Sequence, residues 1–222
     1  MASTERHWSL PLALSILVLR LTSANVGRVT RYQEKEPQNP SLDRLLQDLR
    51  FGNKSERSAA KAILVEQSNK SVTARATLIK ALLPSIKGPN RSVEFMRNPD
   101  LYKQWRPVVE LLGTIRAVEV IDDLIECLDC NTGCSAYRQI LFPATRAIIR
   151  IGDQAIPALS RAIEEDRIKL KIYLAAVALS QIGGEKALAI LERAARREKD
   201  KELAIDFRNL LKNLNNSNKP KL

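Results

Sequence analysis

Leu42, Leu45, Leu46 and Leu49 recur at intervals of three and four, which puts all four on one face of a helix. The same kind of spacing runs along most of the chain and predicts helices near 42–50, 55–67, 71–84, 100–115, 118–129, 139–151, 154–165, 168–182, 185–197 and 201–213. Their ends carry recognisable signals. Ser41 can cap the first helix, Asn98-Pro99 supplies an N-cap and a proline at the first helical position, and Gly88-Pro89 closes the helix before it. The connections are short, so helices of about 12 residues must pack as antiparallel neighbours. The apolar content is mostly Leu, Ile and Ala, which favours helix; a β domain calls for more Val, Thr and aromatic side chains.

The pattern also repeats. Leu111-Leu-Gly-Thr-Ile-Arg-Ala-Val-Glu-Val-Ile-Asp-Asp-Leu124, Ala147-Ile-Ile-Arg-Ile-Gly-Asp-Gln-Ala-Ile-Pro-Ala-Leu159 and Ala178-Leu-Ser-Gln-Ile-Gly-Gly-Glu-Lys-Ala-Leu-Ala-Ile-Leu191 share one layout. Ile115, Ile151 and Ile182 end a first helix, and Gly152 and Gly183 supply the turn after it. Ile121, Ile156 and Leu188, then Leu124, Leu159 and Leu191, recur on the second helix. Ala144, Ala147, Ala175, Ala176 and Ala178 allow first helices to approach closely. One helix pair cannot bury its apolar face alone, so each unit needs its neighbour. The expected fold is therefore all-α: an α-solenoid of about four helix pairs plus terminal helices.

Ile151-Gly-Asp-Gln-Ala-Ile-Pro-Ala-Leu159 resembles the HEAT-like repeat of the phycobilisome-lyase type, whose units run Ala-Leu-Gly-x-Ile-Gly…Ala-Ile-Pro-Ala-Leu. The resemblance is good over about 105–197 and weaker over 55–84, where Ala59-Ala60-Lys-Ala62-Ile63 keeps only the small-residue face. Such repeats often begin with Val-Arg; Leu141 and Ile172 stand there instead, so the polar ladder between units is weak or rearranged. The resemblance implies an α-solenoid with a ligand groove and no particular activity.

Outside the repeats the pattern changes. Arg6 and His7 precede Leu10-Pro-Leu-Ala-Leu-Ser-Ile-Leu-Val-Leu19, and Thr22-Ser-Ala24 follows, the layout of a signal peptide over 1–24. A bilayer span needs about 20 apolar residues, so this run is short for one. A retained anchor and an incidental amphiphilic segment are the other readings. Residues 25–40 read as a polar linker, 41–213 as the solenoid, and 214–222 as a disordered tail. The chain is expected to be exported, periplasmic or secreted, if the leader is a signal, and cytoplasmic otherwise.

Charge changes the picture in one respect. The 222 residues carry a formal net charge of +11. Between 25 and 110 there are 16 Lys and Arg against 9 Asp and Glu, whereas 111–184 holds 8 against 9. The basic excess lies at the ends, and the clearest repeats are near neutral.

Candidate chemistry is sparse. The only histidine is His7, so histidine-based catalysis and His-ligated metal sites have no residue to work with beyond the leader. Cys127, Cys130 and Cys134 follow C-x₂-C-x₃-C spacing; two of the three are expected to form a disulfide in an exported protein, with metal ligation and unbridged thiols as alternatives. Glu119, Asp122, Asp123 and Glu126 read as a solvated helix face, and Tyr102 and Trp105, beside Lys103 and Arg106, as core or capping aromatics. No catalytic set, cofactor or metal site is expected. The reading is a non-enzymatic scaffold that binds a protein or peptide through the concave surface of its second helices. The candidate contacts are Asp122, Asp123, Glu126, Arg161, Glu164, Glu192, Arg193 and Arg196, acidic at one end and basic at the other. The alternative is a nucleic-acid-associated basic α-solenoid.

Overall fold

The helices start and stop on local chemistry. In the computed structural model, which describes residues 40–87, 91–130 and 142–217, α1 spans Leu42–Phe51, and Ser41 Oγ accepts from the Arg44 amide at 3.3 Å. Helix α2, Lys54–Lys70, opens with a capping box: Asn53 Oδ1 accepts from the Ser55 and Glu56 amides, and the Glu56 carboxylate accepts from the Asn53 amide at 2.7 Å. Ser71 caps α3, Val72–Ile86. Helix α4 is Arg91–Arg97; α5, Pro99–Thr114, begins as predicted with Asn98 as cap and proline in its first turn.

A 3-10 turn, Val118–Val120, leads into the short α6, Ile121–Glu126. Then come α7, Pro143–Ile151, a second 3-10 turn at Asp153–Ala155, and α8, Ile156–Glu165. Helices α9, Lys169–Ile182, α10, Gly184–Arg197, and α11, Lys201–Ser217, complete the chain. The described residues contain no strand, so the fold is all-α.

Four boundaries depart from the sequence pattern. Helix α4 has no apolar period, yet it buries Phe95 against Tyr102 and Trp105, with ring centroids 5.5 and 5.0 Å away. The segment expected as helix over 118–129 ends at Glu126. In the one expected over 139–151, the described helix starts at Pro143, which cannot donate from within a helix but fits its first turn. The last helix continues to Ser217 because Leu214 is buried, which extends it into the segment assigned to the tail; 218–222 lie outside the described residues. The leader, 1–24, and the linker up to residue 39 also lie outside them.

Packing follows an alternating order. Helix α5 packs on α7, α7 on α9 and α9 on α11, while α6 packs on α8 and α8 on α10. At the N-terminal end α5 also receives α1, α2, α3 and α4. Ala144, Ala147, Ala175, Ala176 and Ala178 are all buried. Gly113 allows a close approach of α5 to α7: a Cβ there would lie 2.5 Å from Ala147 Cα. Among the described residues no helix is long and apolar enough to cross a membrane.

The turn after each first helix needs a positive φ. Gly152 (82°) and Gly183 (76°) provide it without steric cost. In the first of the three units the same place is taken by Arg116, at 51°. Arg75 of α3 holds that turn: its guanidinium donates to the Ile115 carbonyl and, at 2.8 Å, to the Arg116 carbonyl, and lies 3.6 Å from Glu119.

Candidate functional site

The predicted contact residues do come together as a row on α6, α8 and α10. Their charges, however, are already engaged with one another. Arg161 reaches Asp122 at 2.9 Å, Arg193 reaches Glu164 at 3.1 Å, and Arg196 lies 3.8 Å from Glu192 on its own helix. Glu126 receives Lys171 of α9 at 3.4 Å. Burial lowers the pKa of Lys171, but Asp129, Glu126 and Asp166 around it outweigh burial and raise it overall. Asp123 is half-buried beside this row. Ion pairs thus link α6 to α8 and α8 to α10, and Glu110–Arg146 at 2.9 Å links α5 to α7. Glu164 and Arg193 also border a cleft of about 300 Å³ between α8, α10 and α11, with Ile163, Ile190 and Phe207 in its wall.

A larger cleft, about 620 Å³, opens elsewhere, between α1, α2 and α5. The first two turns of α2 present Lys54, Arg57 and Lys61 to it, at i, i+3 and i+7 and therefore on one face. Helix α5 contributes Lys103 and Arg106 from the opposite side. Leu49, Tyr102 and Pro107 give it an apolar wall. Its carboxylate, Glu110, is held by Arg106 and by Arg146, each at 2.9 Å. Lys103 pairs with Asp100 on the surface at 2.8 Å. Among the described residues, Lys54, Arg57 and Lys61 have no carboxylate within ion-pair distance. Positive charge is therefore in excess here, in contrast with the balanced row.

Burial and neighbouring charges shift the groups inside. Burial lowers the pKa of Lys61, and Arg150 and Arg146 lower it further, against an opposing pull from Glu110. Burial raises the pKa of Tyr102. The hydrogen bond to Glu110 raises that of Arg106. Arg57 Nε is buried without an acceptor, which leaves the rest of that guanidinium as its polar edge.

Sequence reading placed Tyr102 and Trp105 among core or capping aromatics, and the two divide. Trp105 is buried, 3% exposed, whereas Tyr102 packs on it at 5.6 Å and lines the cleft. Local spacing pointed to Lys103 and Arg106 beside Tyr102; the α2 cations sit some 45 residues earlier, and only the regional charge excess hinted at them.

Cys127 and Cys130 are both buried, and Cys127 Sγ faces the Ile86 carbonyl at 3.8 Å. No disulfide joins these two, so any bridge runs to Cys134, which lies outside the described residues. Among the described residues no three His, Cys, Asp or Glu side chains gather as a metal site. No protein-family model matches this chain, and no curated protein matches it significantly.

Proposed function

We propose that the chain is a non-enzymatic α-solenoid of HEAT-like helix pairs that binds a protein or peptide partner, and that it is exported. The observation that carries this reading is the charge register of the second helices. Asp122–Arg161 and Glu164–Arg193 link α6 to α8 and α8 to α10 in one polar row, which ends beside the smaller cleft that Glu164 and Arg193 border. Repeat stacks use such faces to hold extended partners. Side chains in these pairs are 45–82% exposed, so each pair contributes about 0–1 kcal/mol. A partner of mixed charge can exchange them at small cost. A binding role is supported over a catalytic one by the lack of histidine after His7 and by the pairing of the exposed Asp122 and Glu164 with arginines.

The nucleic-acid alternative draws on a different observation, the positive excess in the cleft between α1, α2 and α5. Capture from host extract with the mature chain, before and after nuclease digestion, separates the two. Protein retained after digestion, and weakened by Asp122→Lys/Asp123→Lys, supports the scaffold reading. Capture that vanishes with nuclease sinks it.

A further inference from the structure

We infer that the cleft between α1, α2 and α5 is a docking site for an acidic polypeptide segment bearing an apolar side chain among its carboxylates. The inference rests on the scaffold reading and adds a second, sign-specific surface to it.

Three features of the cleft select that ligand. First, the cations line both sides: Lys54, Arg57 and Lys61 from α2, Lys103 and Arg106 from α5. Among the described residues the one carboxylate lining it, Glu110, is already shared between Arg106 and Arg146, so an incoming anion meets net positive charge and breaks no internal pair with the α2 cations. Second, the α2 cations rise about 4.5 and 6 Å apart along the helix axis. Alternate side chains of an extended peptide lie roughly 6.6 Å apart, within reach of long Lys and Arg stems. Third, the wall beneath the cations is apolar, with Leu49, Tyr102 and Pro107, which suits an anchoring Leu or aromatic side chain.

The same features disfavour a nucleic-acid strand. Single-stranded binders stack successive bases on several aromatic rings. Among the described residues Tyr102 is the one aromatic lining this cleft, and its ring is fixed against Phe95 and Trp105, 5.5 and 5.6 Å away.

Fluorescence anisotropy on the full chain tests the assignment with three probes: a peptide of Glu and Leu, an all-Glu peptide, and an oligothymidylate of equal charge. The Glu/Leu peptide is expected to bind most tightly, with affinity falling as salt rises. Lys54→Glu/Lys103→Glu, on opposite sides of the cleft and at exposed positions, should weaken it by about tenfold or more. Arg57→Gln should weaken it less, and circular dichroism checks that both variants remain folded. Tighter binding of the oligothymidylate overturns the inference in favour of nucleic acid. Peptide binding unchanged in both variants, or no peptide binding at all, also overturns it. If a host protein is still captured after nuclease treatment and lost in Asp122→Lys/Asp123→Lys, the scaffold reading stands without this cleft; if that capture fails too, both fall.

Discussion

Arg161 of α8 reaches back to Asp122 of α6, 39 residues earlier, with 2.9 Å between Nη2 and Oδ1. In the next pair of helices Arg193 of α10 reaches Glu164 of α8, 29 residues earlier, at 3.1 Å. Charge alternation along α6, α8 and α10 is thus an internal register between neighbouring helices. Both Asp122 and Arg161 are more than half exposed, so solvent screens the pair strongly. A double-mutant cycle with Asp122→Ala and Arg161→Ala should give a coupling of about 0.2–1 kcal/mol in denaturant unfolding. Coupling above that range would mean the pair is a structural staple, and would remove it from the candidate contacts.

Gly113 is required by proximity, not by backbone angle. A methyl group there would meet Ala147 Cα at 2.5 Å and Ala147 Cβ at 2.8 Å, so backbone must move. Gly113→Ala should destabilise by about 1–3 kcal/mol or more, although alanine is the better helix former. An unchanged unfolding midpoint would show that α5 and α7 are farther apart than described.

The turn at Arg116 is the mirror case. Its φ of 51° is unfavourable for a residue with a Cβ, and Gly152 and Gly183 occupy the equivalent places in the following units. Arg116→Gly should stabilise by up to about 1 kcal/mol, with relief of strain opposed by the extra freedom glycine gains in the unfolded chain. Arg75→Ala should act in the opposite direction, by about 1.5–3 kcal/mol, because it removes donors to two carbonyls and an ion-pair partner of Glu119. Thermal melts of the two single variants and the double variant test both signs.

These cases mark what the sequence carries. Apolar spacing located ten of the helices, and the Ile-Gly punctuation located the turns after α7 and α9. Helix α4 escaped because Phe95 alone of its described side chains is buried, and one residue makes no period. Arg75 escaped because it serves a turn 40 residues away. The basic cleft was only half legible: Lys103 and Arg106 flank Tyr102 locally, but α2 closes the other side through tertiary packing that no single segment encodes. The acidic and basic candidates of the second helices were found as residues, but their mutual pairing depends on a register visible only in three dimensions.

Lys61 gives the pH prediction. Its pKa is lowered in the folded chain by burial first, then by Arg150 and Arg146, with Glu110 acting in the opposite direction. Below the folded value both states carry the proton, and the folded state bears a constant penalty for holding that charge. Between the folded value and the ordinary lysine value the unfolded chain binds more protons, so this residue's contribution to stability rises with pH across that window. Lys169 acts in the reverse sense: its hydrogen bond with Asp200 raises its pKa, so its contribution is present below the ordinary lysine value and is lost as pH rises through the folded one. The total stability mixes these trends, and a difference isolates one of them. Stability of the native chain minus that of Lys61→Gln, followed by denaturant unfolding from neutral to alkaline pH, should become more favourable to the native chain as pH rises, then level off near the ordinary lysine value. A flat difference would place Lys61 in solvent, and the cleft would then lack the crowding of positive charge on which its preference for an acidic segment depends. A falling difference would mean that Glu110 outweighs burial and the two arginines, so that Lys61 is satisfied internally and free of the repulsion an incoming carboxylate would relieve.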